Sequence, residues 1–376
     1  MSQTTPTPAA TGDATARSGP SRAGGFGEAK RSVGDWLLGV LCRSSAGVMI
    51  AMLVSLLGVL TWSAWPAISA YGLGFLVGTE WRVNELQRPV RDDAGKIIFR
   101  DGEMVTETVP QMFGALPVMY GTAMSSLLAL MIAVPLSFGA ALFLVRVAPK
   151  LRIAGPVSFL VEFLAAIPSL AYGLWGLFVL APFLQEYVGP TAERWLGGVP
   201  WLRWMFYEQV IVAGRLIERP IAMTGRDLLC GSLILAIMVL PIITSVSRDV
   251  LKGVPRSQIE GTLALGATWW QSCLGMLRYG RSGLFGAVML GLARAAGETM
   301  AVAMVIGNNN QISASPFAPA ATMASLLANE FQDPGEGLHR PSLLYVALVL
   351  LVMSLLFNVV ARWFVVGKGG GVSAAH

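Results

Sequence analysis

Residues 44–79 and 108–145 contain no Asp, Glu, Lys or Arg, and this constrains the fold more than any motif does. A helix that is apolar all round has no face to turn towards water, so it belongs in a large core or in hydrocarbon. Within these runs, 46–68 and 120–145 are each long enough to cross a layer about 30 Å thick at roughly 1.5 Å per residue. Charged residues are only 13% of the 376, about half the share usual in soluble domains. The chain reads as an all-α integral membrane protein.

Four further apolar stretches, 156–181, 228–247, 283–306 and 342–366, raise the expected count to six spans within one transmembrane domain, 44–366. Pro135, Pro168 and Pro241 fall inside spans, where the backbone bonds they remove must be made good locally. Residues 1–43 are led by a Ser-, Thr-, Pro-, Ala- and Gly-rich stretch with too little apolar surface to fold alone, and are expected to be a disordered cytoplasmic tail. The first apolar run begins only after Arg43 and is too long for a cleaved signal peptide. Residues 367–376 form a second short tail. Residues 80–107 are a polar loop with a turn at Asp92-Asp93-Ala94-Gly95-Lys96 between strand-like pieces. Residues 182–226 carry Trp195, Trp201, Trp204, Phe206 and Tyr207, a composition suited to the membrane interface.

The net charge of +5 reads as membrane orientation rather than as a nucleic-acid surface, because the basic residues sit in loops between apolar runs. Arg17, Arg22, Lys30, Arg31 and Arg43 precede the first span, Arg146, Lys150 and Arg152 follow the second, and Arg248, Lys252, Arg256, Arg278 and Arg281 follow the fourth. The 80–107 loop, by contrast, has five basic against seven acidic residues. Both termini are therefore expected in the cytoplasm. Cys42, Cys230 and Cys273 form no CxxC pair, and His339 and His376 have no ligand-spaced partners, so disulfide, metal and His-based catalytic readings find no support. No GxxxxGK[ST] occurs: Gly95-Lys96 runs into Ile97, and Gly367-Lys368 into Gly369. If ATP drives the protein, another chain binds it. GxSxG and HExxH are also absent, which argues against a membrane enzyme.

Residues 260–308 combine a Gly-punctuated, partly charged loop with an apolar helix that carries two ionisable residues. In the loop, Gly266 is expected to supply a positive-φ turn between two short helices, with Trp269 and Trp270 on the second. An exposed helix of this kind is a common form of partner recognition. In the span, Arg294 and Glu298 lie four residues apart and so share a helical face. A charge near the bilayer centre costs about 3 kcal/mol even on a lenient scale, so the two need each other or a polar cavity. An Arg fork suits an anion, with Glu298 holding the Arg until substrate arrives or excluding anions in the closed state. Glu162 is expected beside Arg152 or against a residue of the fifth span, in a structural role, and Asn308 at the exit of that span, where capping is the plain alternative. Gly291 and Gly297 are expected to allow close helix packing.

The run EGTLALGATWWQSCLGMLRYGRSG from Glu260 resembles the EAA loop of ABC-transporter permeases, with Glu260, Leu265, Gly266 and Ala267 at the heart of the match. Together with GLARAAGETMAVAMVIGN, EFLAAIPSLAYGLWGLFVLAP from Glu162 and YGTAMSSLLALMIAVPLSFGAALFL from Tyr120, it is similar to the PstC type of phosphate-transport permease over residues 110–366. Gly261 and Thr262 replace the two alanines of the pattern, and Leu277-Arg278 stands where LP is expected, so the helix exit falls to Tyr279-Gly280.

The resemblance implies a type I ABC importer permease of six transmembrane helices with periplasmic loops and a cytoplasmic coupling loop. It implies a multi-pass protein of the bacterial inner membrane, no cofactor and no covalent chemistry of its own. It also implies a second permease of PstA type, two ATP-binding subunits of PstB type, a periplasmic phosphate-binding protein of PstS type, surrounding membrane lipid, and inorganic phosphate as substrate on a path past Arg294 and Glu298. The alternatives are a permease for sulfate or molybdate, which would keep the loop but not the 296–308 run, and a proton-coupled secondary transporter with Glu298 as carrier.

Overall fold

In the computed structural model, which describes residues 33–84, 86–89, 99–100, 103–104, 106–212 and 215–369, the apolar runs become helices. Four are long and apolar enough to cross a membrane: Trp36–Tyr71, Leu116–Val147, Leu228–Lys252 and His339–Val360. The pair Ala154–Ala166 and Ser169–Leu196 adds a fifth if it counts as one broken span. Residues 33–43, assigned to the tail by composition, are helical within Val33–Tyr71. The rest of that tail, the turn at 92–96 and residues 370–376 lie outside the described residues.

The chain divides into two units, 1–56 and 57–376. The described part of the first is helix, with Trp36, Leu41, Met49, Ile50 and Met52 exposed. An apolar helix without burial is stable in hydrocarbon, where its backbone bonds are all internal.

In the second unit, Leu116–Val147, Leu228–Lys252 and Arg281–Ala296 pack together through small residues. Ala129, Ala133, Ala236, Ala287 and Ala295 are buried in one cluster with Leu235, Val239 and Ile243. Gly291 belongs to this seam, since a methyl there would lie 2.6 Å from Ile243 Cδ1. Lipid tails give helices no hydrophobic reason to associate, so close van der Waals contact between small residues does that work. Gly297 does not share the role expected of it: it is exposed, with no neighbouring helix against it.

The third span is not straight. Its two limbs meet at 87°, because the residue before a proline is driven out of the α region and Ile167 adopts ψ 129°. Pro168 has no N–H to give the carbonyl of Leu164. The hydroxyl of Tyr172 donates to that carbonyl at 2.8 Å instead. The second limb runs on to Leu196, so the expected end at 181 is not a structural boundary. The fifth span is also interrupted: Arg281–Ala296 ends, Gly297, Glu298 and Thr299 are non-helical, and Met300–Val305 follows.

The strand-like loop pairs as an antiparallel ladder. Leu86–Pro89 pairs with Thr106–Val109, Phe99–Arg100 with Glu103–Met104, and Trp81–Arg82 with Met112–Phe113. A second hairpin, Tyr207–Val212 with Arg215–Pro220, occupies part of the region expected to lie at the membrane interface.

His339 is buried and makes contacts that spacing did not reveal. The amide of Gly335 donates to its Nδ1 at 2.7 Å, which leaves the proton on Nε2 for Glu330 Oε2, 2.8 Å away. Glu330 Oε2 also accepts from Trp81 Nε1 at 2.9 Å, and the imidazole stacks on Phe113. The cluster joins the first strand, the 331–338 loop and the last helix. All three cysteines are free.

The helix Leu228–Lys252 starts against the 315–320 loop. Leu228 and Leu229 donate their amides to the carbonyls of Ala318 and Pro316 at 3.0 and 2.8 Å, and Asp227, only 1% exposed, caps Cys230 through Oδ1 at 2.8 Å. These bonds satisfy amides that a helix start otherwise leaves orphaned. Burial pushes the Asp227 carboxyl up from 3.8 to about 6, against the lowering effect of its backbone bonds. Between those values the folded protein holds a proton that the unfolded chain has lost. Stability from this group is therefore full below about pH 4 and lost as pH rises through about 6. Asp227→Asn, which keeps a cap oxygen, is expected to flatten this dependence, so that the gap in melting temperature between wild type and variant in detergent changes from pH 5 to pH 7.5.

Candidate functional site

The loop that follows Leu228–Lys252 folds as two short helices, Arg256–Ala264 and Trp269–Tyr279. Gly266 has φ +83°, the left-handed turn expected of it. The amide of Gly266 bonds the carbonyl of Leu263 at 3.0 Å, and that of Ala267 the carbonyl of Thr262 at 3.2 Å. This pair of bonds is the Schellman arrangement for ending a helix. Two residues on, Thr268 opens the next helix with a capping box: its hydroxyl accepts from the Gln271 amide at 3.3 Å, and Gln271 Oε1 accepts from the Thr268 amide at 2.8 Å. A helix stop and a helix start are thus encoded within the few residues around Gly266.

One side of this pair is anchored. Cys273 and Met276 are buried with Ala141, Leu142, Leu251, Val254 and Leu284. Thr262, which replaces the second alanine of the pattern, places its hydroxyl 3.4 Å from that of Ser272 and ties the two helices together. The other side is bare: Leu265 is 90% exposed, and Leu263, Trp269 and Trp270 are exposed beside it. Contiguous exposed apolar side chains of this kind mark an interaction surface. Glu260 is exposed on the first helix, while Ala267, in the connection, is half-buried. The missing LP does not disrupt the exit, since Gly280 donates to Met276 O at 2.9 Å and Arg281 begins the next helix.

That next helix connects the loop to the ion pair. Arg294 lies thirteen residues beyond Arg281, roughly 20 Å along the axis. Arg294 and Glu298 do meet, but not on one continuous helical face as expected. The helix stops at Ala296 and Glu298 lies in the break, where its amide reaches back to Ala295 O at 3.3 Å. Gly297, a poor helix former, sits at the stop. Arg294 Nη2 and Glu298 Oε2 are 3.7 Å apart, with side-chain exposures of 49% and 6%. The contact is an ion pair without a hydrogen bond, because good N–H···O bonds lie near 2.9 Å. Arg294 therefore keeps its fork of donors while its charge is balanced by a buried carboxylate.

Glu162 pairs with neither Arg152 nor a residue of the fifth span. Its Oε1 lies 3.6 Å from Arg248 Nη1, near the end of Leu228–Lys252, and Arg248 Nε also donates to Asp249 at 3.2 Å. Asn308 takes the capping role: it adopts φ 52° and donates Nδ2–H to Ala303 O at 2.7 Å. Gly307 before it has φ +92°. Neither Glu162 nor Asn308 contacts the Arg294–Glu298 pair in a described bond.

The family model described as "Binding-protein-dependent transport system inner membrane component" matches residues 133–366. The chain is 37% identical to "Phosphate transport system permease protein PstC" of Mesorhizobium japonicum over 330 residues, 88% of this chain and 89% of that one. The protein of the same name in Xylella fastidiosa is 36% identical over 329 residues, 87% of this chain and 89% of that one. "Phosphate transport system permease protein PstC 1" of Mycobacterium tuberculosis is 37% identical over 351 residues, 92% of this chain and 95% of that one.

Two glycines of the loop are expected to respond in opposite ways to an added side chain. At Gly266 a Cβ meets no neighbour, yet Gly266→Val forces a β-branched residue to positive φ and is expected to destabilise by about 1–3 kcal/mol. At Gly261, inside a helix with open space around it, Gly261→Ala is expected to stabilise by about 0.5–1 kcal/mol. Melting of the two variants in detergent checks both signs.

Proposed function

The chain belongs to the inner membrane component family of binding-protein-dependent transport systems, and on that premise we propose that it is the permease subunit of an ATP-driven importer that moves inorganic phosphate across the bacterial inner membrane. It is a transport component rather than an enzyme, and it crosses the membrane several times. Family membership brings with it an ATPase and a binding protein as partners. In finer detail we assign a PstA-type second permease, two PstB-type subunits that bind all the ATP, and a PstS-type periplasmic protein that delivers phosphate. Four helices and the bent pair supply five spans; we count the interrupted stretch 281–305 as a sixth, and the basic residues of the loop ends favour cytoplasmic termini.

What carries the mechanism is the loose pairing of Arg294 with Glu298, at one end of the helix whose other end meets the exposed loop. Glu298 balances the guanidinium without taking its donors. An arriving phosphate offers several anionic oxygens to the same fork and displaces the carboxylate at little loss. Closure of the ATPase dimer moves the loop, and Arg281–Ala296 carries the displacement as a rod. The non-helical residues 297–299 let Glu298 separate from or return to Arg294 as the path alternates between its two openings. The sulfate or molybdate alternative has no counterpart among these relatives, and proton coupling has none in a binding-protein-dependent family.

In proteoliposomes holding the assembled complex, Arg294→Ala is expected to lower phosphate uptake more than tenfold while the ATPase subunit still co-purifies. Arg294→Lys, which keeps the charge but not the planar fork, is expected to fall between the two. Unchanged uptake in Arg294→Ala would remove Arg294 from the path.

A further inference from the structure

A second cluster of cations lies beneath the coupling loop, remote in sequence from Arg294. A cavity of about 470 Å³ opens between the turn that ends Leu116–Val147, the end of Leu228–Lys252 and the two loop helices. Arg146, Lys252 and Arg256 line it together with Glu260, Leu263 and Met276. Its size falls within the range of about 300–1,000 Å³ usual for small-molecule sites.

The cations are not neutralised. Among the described residues, none of Arg146, Lys252, Arg256 and Glu260 takes part in an ion pair. Three positive charges therefore face one carboxylate. Arg146 Nε is buried without a hydrogen-bond partner, although a buried donor left unmade is unfavourable in a folded protein. Arg146 also sits in the π-helical turn Phe143–Val147, a wider turn that often accompanies a functional position. Each feature alone has a plain structural reading. Three cations around one cavity, with a single carboxylate among them, are what an anion with several acceptor oxygens would balance.

We propose that this cavity binds a phosphate group, held by Arg146, Lys252 and Arg256. The chemistry is shared by two sources, free inorganic phosphate and the headgroup of an anionic phospholipid, since basic pockets between helices at the cytoplasmic leaflet bind lipid headgroups. Glu260 and Leu263 belong to the first loop helix, so an occupant is held against the loop, and its binding is linked to loop position in both directions. If the source is inorganic phosphate, the transported product restrains the coupling loop from within the cell, a consequence that rests on the function proposed above. The site itself does not.

Binding is therefore measured without transport, on the purified full chain carrying Arg294→Ala so that the proposed path makes no contribution. In delipidated detergent, radiolabelled inorganic phosphate is expected to bind saturably, and Arg146→Gln with Arg256→Gln to weaken it at least tenfold. Arg146→Lys with Arg256→Lys, which keeps the charges, is expected to retain most of it. In nanodiscs of phosphatidylglycerol, native mass spectrometry is expected to show retained lipid on the parent chain and less on the Gln pair if the headgroup is the occupant. If the Gln pair melts at a lower temperature than the parent, Lys252→Gln alone replaces it in both assays. Equal binding of both inorganic phosphate and phosphatidylglycerol by parent and folded variant, or binding of neither, overturns the site.

Discussion

The bonds made by the backbone of residues 306–323 hold the helices of the larger unit in register. Ala320 donates to Ile306 O at 2.9 Å, the carbonyls of Pro316 and Ala318 take the first amides of Leu228–Lys252, and Met323 donates to the hydroxyl of Thr122 at 2.9 Å. Ser315 adds a bond to the carbonyl of Met205. Gly121 lets the segment come close, since a methyl there would collide with the carbonyl of Ala321. In a medium without water every helix end must find such partners within the protein. One irregular segment supplies them to the helix that begins at Leu228 and to the short helix that ends at Val305, while the start of the helix at Leu116 is met by the carbonyls of Phe75 and Gly78.

This arrangement leaves the other end of the same helices free for another purpose. There Leu228–Lys252 and Arg281–Ala296 are joined by the two loop helices, whose buried face is fixed by Cys273 and Met276 and whose apolar tip is exposed. Between the tip and the Arg294–Glu298 pair the backbone runs through Trp269–Tyr279, the exit at Gly280 and Arg281–Ala296. The break around Gly297 thus lies at the far end of the second of two consecutive helices that lead from the exposed tip.

The apolar runs alone disclosed the class of fold, because length and the absence of charge leave few alternatives. Gly266 was legible for a similar reason: its φ, the two helices around it and the exit at Gly280 are all local properties. Other features depended on distance in space. Glu298 was expected on a helical face because spacing counts residues and does not see the stop at Ala296. Pro168 was expected inside a continuous third span, and the 87° turn between its two limbs had no signal in the spacing of apolar residues. Glu162 finds Arg248 and His339 finds Trp81 only after folding, across separations that no spacing rule covers. The hairpin at 207–220 was hidden because its strands, YEQVIV and RLIERP, run in polar and apolar blocks rather than alternating, beside aromatic residues that suit the membrane surface.

At the bend the carbonyl of Leu164 takes two donors, the amide of Ile167 at 3.4 Å and the hydroxyl of Tyr172 at 2.8 Å, and the closer bond comes from the side chain. A phenolic hydroxyl, unlike an amide, swings on rotatable bonds and accepts as well as donates. Its net contribution is about 1 kcal/mol when another acceptor or a water can take its place. Such a latch can open without remaking a straight helix, because the proline still cannot supply the missing backbone bond.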